Sequence, residues 1–488
     1  MRKFLPTPGA VQLLMEGAAA LSQVSANGVR IDKEYLESAI TSTAEQIKQY
    51  EDALRSDPDY HLWRRRFGTE VNFNVNKQLA TVIFGDLGFG RKEKLSDAKD
   101  TDDEGEFEGI DHPLVKNFFS RAKIENARST FLLGIQREIV RHDDGNYYVH
   151  PHYHLNTVAT FRSSASSPNF QNVPTRNPIM AEIIRRCYIA RPGQQLLELD
   201  YGQIEVRVPC FYSFDPVLME YNSDPDKDMH RDCAEQLFLC PGQVSKALRH
   251  IAKNRYVFPT FYGSYHKQTA PGMWEAIVLG KVTLKDSTKT VLEHLAEQGI
   301  TEVGACDPRQ RSKPGMFEHH VAQIEEDFTR RRFGVHWEWK EKWIQEYRRS
   351  GGCMFLTGFP MVGPHVRNDI PNYPVQSVAF HLTLWSLTRL NRLLYKYKFK
   401  TQIIGEVHDC LNLDGPPEER DDVIDLAVRV MTKDVVKHWP WINVPLSVEP
   451  EACPVEGAWC DKMALTQRNG TWVPSDPNKW NEKFGAWA

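Results

Sequence analysis

The chain of 488 residues is 41% hydrophobic and 25% charged, with a formal net charge of −4; this suits a soluble globular enzyme of a few interlocked subdomains and gives no global sign of a polyanion partner, so any nucleic-acid contact must come from local basic patches. Nine scattered cysteines without a C-x-x-C pair exclude a disulfide framework and the common zinc modules. Pro6, Pro8, Gln12 and Glu16 interrupt the N-terminal apolar stretch before a signal-peptide core can form, and no run reaches the length of a membrane span, so the interior of a cell is the expected location.

In chain order, residues 11–24 carry apolar residues at helical spacing, Asn27-Gly28 makes a turn, and Asp32 is placed to cap a helix from Lys33 to about Arg55. A second helix is expected near Asn74, including Lys77, Gln78 and Leu79. The acidic segment Asp97–Asp111 reads as a solvated loop. His112-Pro113-Leu114 then opens a third helix bearing Lys116, Arg121, Lys123 and Arg128, a solvated face unless a phosphate backbone lies nearby. From Tyr147 to Pro174 the pattern turns to short strands and loops; His150, His152 and His154 alternate there and can share a strand face in the manner of a metal site. Arg162-Ser163-Ser164 and Pro168–Asn172 are polar segments suited to hydrogen-bonding a ligand.

Leu196–Leu199 predicts a strand that delivers Asp200 to its end, followed at once by a polar helix with Gln203, Glu205 and Arg207. Ile403–Val407 delivers Asp409 in the same way. Two aspartates brought together at strand ends can hold a pair of divalent cations, the arrangement that stabilises in-line phosphoryl transfer at both the attacking and the leaving oxygen. Between them, Arg249 and Lys253 stand one helical turn apart and can grip a triphosphate, and Phe258 and Tyr262 stand in the same relation and can offer an apolar surface to a base. Taken alone, that segment also reads as an amphipathic helix with exposed cations and core aromatics.

These three segments, in this order, resemble the motifs of the family A DNA polymerases: Asp200–Arg207 their motif A, Arg249–Gly263 their motif B and Val407–Cys410 their motif C. Asn27–Asp32, His112–Leu114 with Arg128–Phe131, Thr160–Ser164, Pro168–Pro174, Asn372–Gln376 and Val444–Glu449 resemble weaker family segments, so that the match runs from about residue 10 to 460. The resemblance implies an α+β right-hand fold with an antiparallel palm sheet, helical fingers and a helical thumb. Its parts are a lead-in to the palm (1–32), thumb (33–150), palm with motif A (151–204), fingers with motif B (205–360), palm with motif C (361–460) and a C-terminal extension (461–488). It also absorbs the histidine run, since His150 and His154 fall where the family has a strand.

The implied activity is template-directed DNA synthesis, adding dNTPs to a primer 3′-hydroxyl with release of pyrophosphate. Asp200, Asp409 and the carbonyl of Tyr201 are the implied ligands of two Mg²⁺ ions, with Mn²⁺ able to substitute; one ion lowers the pKa of the 3′-hydroxyl and the other neutralises the triphosphate. Lys253 is implied as the catalytic donor to the leaving group. Arg249, His230, Gln203, Phe258 and Tyr262 bind the dNTP, with Glu205 against its sugar to exclude a 2′-hydroxyl. Arg162, Asn172, Arg207, Asn372, Gln376 and His408 contact the primer-template, where minor-groove acceptors occur at every base pair. The chain begins where the polymerase domain of such proteins begins, so no proofreading exonuclease is expected in it; a separate exonuclease or processivity factor is a possible partner, with no membrane. A phage or other viral enzyme, in the cytoplasm of a bacterium or infected host, is the expected setting.

The sequence departs from the family pattern at four places. Gly202 replaces the usual serine of motif A, and Pro209 enters the helix after it. Lys253 to Tyr262 is one residue longer than the family spacing; a single-turn bulge restores both faces, and the alternative is that Asn254 takes the lysine's place. Cys410 stands where motif C carries a carboxylate, so the third acidic group is absent unless Glu406 approaches. Gly358-Phe359-Pro360 lacks the paired arginines common after that glycine. The competing readings are a catalytically silent DNA-binding replisome subunit on the same fold and an RNA-synthesising relative. Trp472, Trp480 and Trp487 lie beyond the match, as a docking tail or as packing against the palm.

Overall fold

The computed structural model describes residues 4–89, 107, 110–175 and 177–487. Most of the expected acidic loop, all but Phe107, Ile110 and Asp111, lies outside the described residues. Among them, no helix is long and apolar enough to cross a membrane.

A six-stranded antiparallel sheet organises the molecule. Its strands are β1 (Gln195–Tyr201), β2 (Gln402–Val407), β3 (Cys410–Gly415), β4 (Val448–Val455), β5 (Met463–Arg468) and β6 (Thr471–Pro474), in the spatial order β2-β3-β1-β4-β5-β6. Strand alternation turns Leu197, Leu199 and Tyr201 of β1 into the main core and leaves Glu198 and Asp200 on the other face. Burying each of these leucines contributes about 1.5–3 kcal/mol, which fixes the register, because a slip of one residue would exchange the leucines for the carboxylates. The register sets Cys410 of β3 and Glu449 of β4 opposite Asp200, one on each side.

The core face of the sheet is covered by the 29-residue helix Asp369–Tyr397, buried along most of its length. The helix Pro8–Asn27, with Thr7 as N-cap and Pro8 at its first position, lays Leu13, Gly17, Ala20 and Val24 against it. A Cβ on Gly17 would fall 2.8 Å from Leu384, so glycine sets the close approach of these two helices.

Asp32 caps Lys33–Ser56 as expected, its side chain accepting from the Tyr35 N–H. That helix packs on Pro113–Asn126 above a core of Leu54, Trp63, Phe73, Leu79, Phe118 and neighbours. The strands Val140–Arg141 and Tyr147–Val149, within the span expected for the thumb, pair with each other, and Tyr147–Val149 pairs with Val29–Ile31, which also pairs with Tyr188–Ile189, so the end of that span joins the base of the palm.

Residues 204–350 form a helical body. In its motif-B segment the helix Lys246–Ile251 passes into a π-turn, Ala252–Val257, before Phe258–Phe261. This is the expected bulge, and it absorbs the extra residue. The last residues pack against the palm: β5 and β6 widen the sheet, Trp480 is buried, the Trp472 indole N–H donates to Asp425 at 2.9 Å and Trp487 stacks on Arg420.

Candidate active site

Two tight backbone turns bring the aspartates together. At the end of β1 the Tyr201 N–H donates to the Asp409 carbonyl (3.1 Å) and the Gly202 N–H to the Ser447 carbonyl (2.9 Å), while Gln203 takes a left-handed conformation (φ +53°) that turns the strand into the Ile204–Ser213 helix. The Tyr201 hydroxyl, bonded to Ser386 and the Met431 carbonyl, pins the turn from below. The β2–β3 hairpin closes with Val407 opposite Cys410, which places His408 (φ +62°) and Asp409 at its tip. Left-handed non-glycine residues cost about 1 kcal/mol or more and persist where the surroundings impose them; here one occurs at each of the two turns that carry the aspartates.

This corner concentrates carboxylate charge. Burial, then the charge of Asp409, holds the Asp200 carboxyl well above the usual range, and burial followed by Glu205 raises that of Asp409. Asp200 Oδ1 is buried without a hydrogen-bond partner. Paired, desolvated carboxylates with unsatisfied oxygen are unfavourable unless protonated or neutralised, and hard divalent ions prefer such oxygen ligands. The donor set therefore fits the ions that the sequence implies.

Glu205 stands beside the aspartates and is held at both oxygens. Arg162 pairs with Oε1 and the Tyr262 hydroxyl donates to Oε2. Arg162 also donates to the Gln376 carbonyl (3.3 Å), and the Asn372 amide to the Tyr262 carbonyl (3.1 Å). His408 lies near Arg162, and burial together with that cation lowers its pKa. Five expected site residues, Arg162, Glu205, Tyr262, Asn372 and Gln376, thus form one connected network beside the aspartates.

A cationic wall rises on the other side. Arg249 Nε donates to Asp228 at 2.5 Å, and Asp228 caps the Met229–Leu237 helix that carries His230. His230 Nε2 meets Gln203 Oε1 at 3.2 Å; burial, then Lys253 and Arg249, pushes its pKa down to about 4, so it stays neutral. Lys253 Nζ lies 5.5 Å from the Phe258 ring centroid, whose ring faces His230 at 5.8 Å. Asn254 is exposed and bonds back to His250, which leaves Lys253 on the face of Arg249. Asn172 is exposed at the end of a short helical turn.

Several expectations are corrected. Arg207 does not face a groove: it donates to the carbonyls of Gly202 (2.8 Å), Asn222 (2.9 Å) and Pro445 and to Ser447 Oγ (3.0 Å), clamping the motif-A turn to the chain before β4. Glu406 does not approach the aspartates. It points into the core, where Ser163 Oγ (2.6 Å) and Gln171 Nε2 (3.0 Å) donate to it and burial pushes its pKa up to about 7. The histidine run, absorbed by the resemblance, makes local contacts: His150 with the Ser25 carbonyl and His142, His154 with Ser166, while His152 is exposed. Arg121, expected on a solvated face, is buried against Glu51 and Asn74.

The cluster of His, Cys and carboxylate groups found at ligand spacing among the described residues is Asp57, Asp59 and His112. There His112 Nδ1 accepts the Leu114 N–H, so Nε2 carries the proton and donates to Asp59 (3.2 Å), leaving no nitrogen for a metal.

Two residues escaped the sequence reading. Ser447 Oγ lies 2.3 Å from where a Cβ on residue 202 would be, so a hydroxyl from β4's approach fills the space that a motif-A serine would occupy. Lys340 is buried in a tryptophan-rich helix and donates to the Phe261 carbonyl at 2.6 Å, at the end of the helix that presents Tyr262. Neither carries a local signal; a lysine among alternating tryptophans and charged residues reads as a solvated position until its partner is known.

The family model described as DNA polymerase family A matches residues 33–273. Over 446 residues the chain is 26% identical to the thermostable DNA polymerase I of Thermus aquaticus, an alignment covering 88% of this chain and 46% of that protein. It is 25% identical over 443 residues to DNA polymerase I of Chloroflexus aurantiacus (89% and 41% covered) and 22% identical over 484 residues to the DNA polymerase of Bacillus phage SP01 (86% and 46%). The chain thus spans less than half the length of these relatives. Among solved structures it is similar to the POL domain of Pol1 from M. smegmatis in complex with DNA primer-template and dNTP, with a TM-score of 0.69 at 19% identity, covering 93% of this chain and 71% of that one. The two share the right-hand fold.

Proposed function

The chain belongs to DNA polymerase family A, and from that premise we propose that it catalyses template-directed DNA synthesis, extending a primer 3′-hydroxyl with dNTPs and releasing pyrophosphate. The observation that carries the reading is the juxtaposition of Asp200 and Asp409 at two strained turns, both raised in pKa chiefly by burial and one of them with an unpartnered carboxylate oxygen.

Asp200, Asp409 and the Tyr201 carbonyl would hold two Mg²⁺ ions, which when bound supply Lewis-acid activation of the attacking hydroxyl and charge neutralisation at the leaving phosphates. The chain's own residues do the remaining work. Arg249 and Lys253 offer charge to the triphosphate from one helix face, and Lys253 can give a proton or its charge to departing pyrophosphate. His230, buried and neutral at physiological pH, donates its Nε2–H to Gln203 Oε1 and so turns the amide N–H of the exposed Gln203 side chain toward a phosphate oxygen without adding charge. Phe258 and Tyr262 present aromatic surface to the incoming base pair.

Glu205, fixed by Arg162 and Tyr262, walls off the sugar's 2′ position. Its fixation favours DNA over RNA as product and disfavours the reading as an RNA-synthesising relative. Asn172, Asn372, Gln376 and His408 would contact the primer-template minor groove, reading acceptors common to every base pair.

Single-nucleotide incorporation on four primed templates that differ in the templating base tests the proposal. Incorporation of the complementary dNTP on each is expected. Absence of incorporation, or incorporation that ignores the template, would reject it and favour a silent DNA-binding subunit.

A further inference from the structure

We infer that Glu449 supplies the third carboxylate of the divalent-cation centre, from the strand on the side of Asp200 opposite Cys410. The inference rests on the reading of Asp200 and Asp409 as cation ligands.

Strand register places Cys410 and Glu449 directly opposite Asp200 on its two neighbouring strands, so all three side chains share one face of the sheet. Cys410 is buried and offers sulfur, a soft donor that hard Mg²⁺ does not favour. The other carboxylates around the corner are engaged. Glu198 receives the Trp459 indole N–H (2.7 Å), Lys462 (2.5 Å) and Asn412 (3.3 Å). Glu205 receives Arg162 and Tyr262, and Glu406 receives Ser163 and Gln171 at Oε2, while its Oε1 is buried in the core without a partner.

Glu449 differs from all of them: it is exposed on the Asp200 face, and its carboxylate takes part in no hydrogen bond or ion pair among the described residues. Its Oε1 lies 3.3 Å from where a Cβ on residue 202 would be, so the carboxylate is turned toward the loop that carries Asp200 rather than away along the strand. Gly202 leaves that approach open. Asp200, directly opposite Glu449 in the register, has its Oδ1 buried without a hydrogen-bond partner. A second carboxylate charge beside an unsatisfied buried carboxylate oxygen is repelled by it, and a shared cation relieves that repulsion.

The test is Mn²⁺ binding to the full chain without nucleotide, read from the loss of the free-ion EPR signal, for wild type, Glu449→Gln, Asp200→Asn and Glu451→Gln. Glu451 is two residues along the same strand face but paired with Lys462, and controls for the general field of the acidic surface. Glu449→Gln is expected to bind Mn²⁺ about tenfold more weakly with an unchanged melting temperature, Glu451→Gln to bind as wild type, and Asp200→Asn to lose tight binding. Unchanged affinity in Glu449→Gln while Asp200→Asn loses it overturns the inference and leaves the underlying reading intact. Equal weakening in Glu449→Gln and Glu451→Gln also overturns it, since the effect would then belong to the field. Unchanged binding in every variant overturns the reading of the aspartates themselves.

Discussion

Glu205 has no freedom to withdraw: Arg162 and the Tyr262 hydroxyl each hold one of its oxygens. A sugar carrying a 2′-hydroxyl at that wall must break one of these bonds or clash. Glu205→Ala should therefore raise ribonucleotide incorporation relative to deoxyribonucleotide about a hundredfold, ~2.7 kcal/mol of discrimination, measured as the ratio of kcat/KM for the two sugars. An unchanged ratio would remove Glu205 from sugar selection. The aspartates and this glutamate were legible in the sequence because they must stand at the ends of apolar strands or in the first turn of the helix that follows. Arg207 and Glu406 were not, since their partners, Pro445 and Ser447 for one and Ser163 and Gln171 for the other, are brought to them only by the fold.

At the scale of elements, the motif-B helix shows how a length change is tolerated. The π-turn over Ala252–Val257 takes up the extra residue, so Arg249 and Lys253 keep one face and Phe258 and Tyr262 another. The end of that helix depends on Lys340, which satisfies the Phe261 carbonyl where intrahelical donors run out. Burial pushes the Lys340 pKa down to about 8. Between pH 8 and the unfolded value of 10.5 the unfolded chain binds the extra proton, so this group's contribution to stability rises with pH across that window.

Relative to Lys340→Met, the wild type should therefore gain up to about 3 kcal/mol of unfolding free energy across that window, read from denaturant midpoints. Parallel pH curves for the two proteins would show that the lysine is not held in this way. Lys340→Met should also raise the KM for dNTP more than it lowers kcat, because Tyr262 loses the fixed helix end beneath it. The bulge could be anticipated from the residue count alone; Lys340 could not, because its environment of tryptophans and a distant carbonyl has no counterpart in local sequence.

For the whole molecule, the strand pattern anticipated the palm: the long buried helix Asp369–Tyr397 seals one face of the sheet by apolar contact, and on the acidic face Trp459 and Lys462 cover Glu198. The boundary of the expected thumb was less legible. Two- and three-residue strands such as Val140–Arg141 and Tyr147–Val149 have too little periodicity to declare which sheet they join. The C-terminal tryptophans likewise resolve into packing on the palm only when Asp425 and Arg420 are in place beside them.

The central claim is that Asp200 and Asp409 form one cation-dependent catalytic corner within this fold, and extension of a primed template across a Mg²⁺ titration tests it most directly. Wild type should extend only with the metal, and Asp409→Ala should be slowed about a thousandfold or more at every Mg²⁺ concentration, ~4 kcal/mol of lost transition-state stabilisation, with its melting temperature unchanged or raised because one of two repelling buried carboxylates is gone. Extension by Asp409→Ala at the wild-type rate, or extension that needs no metal, would contradict the account.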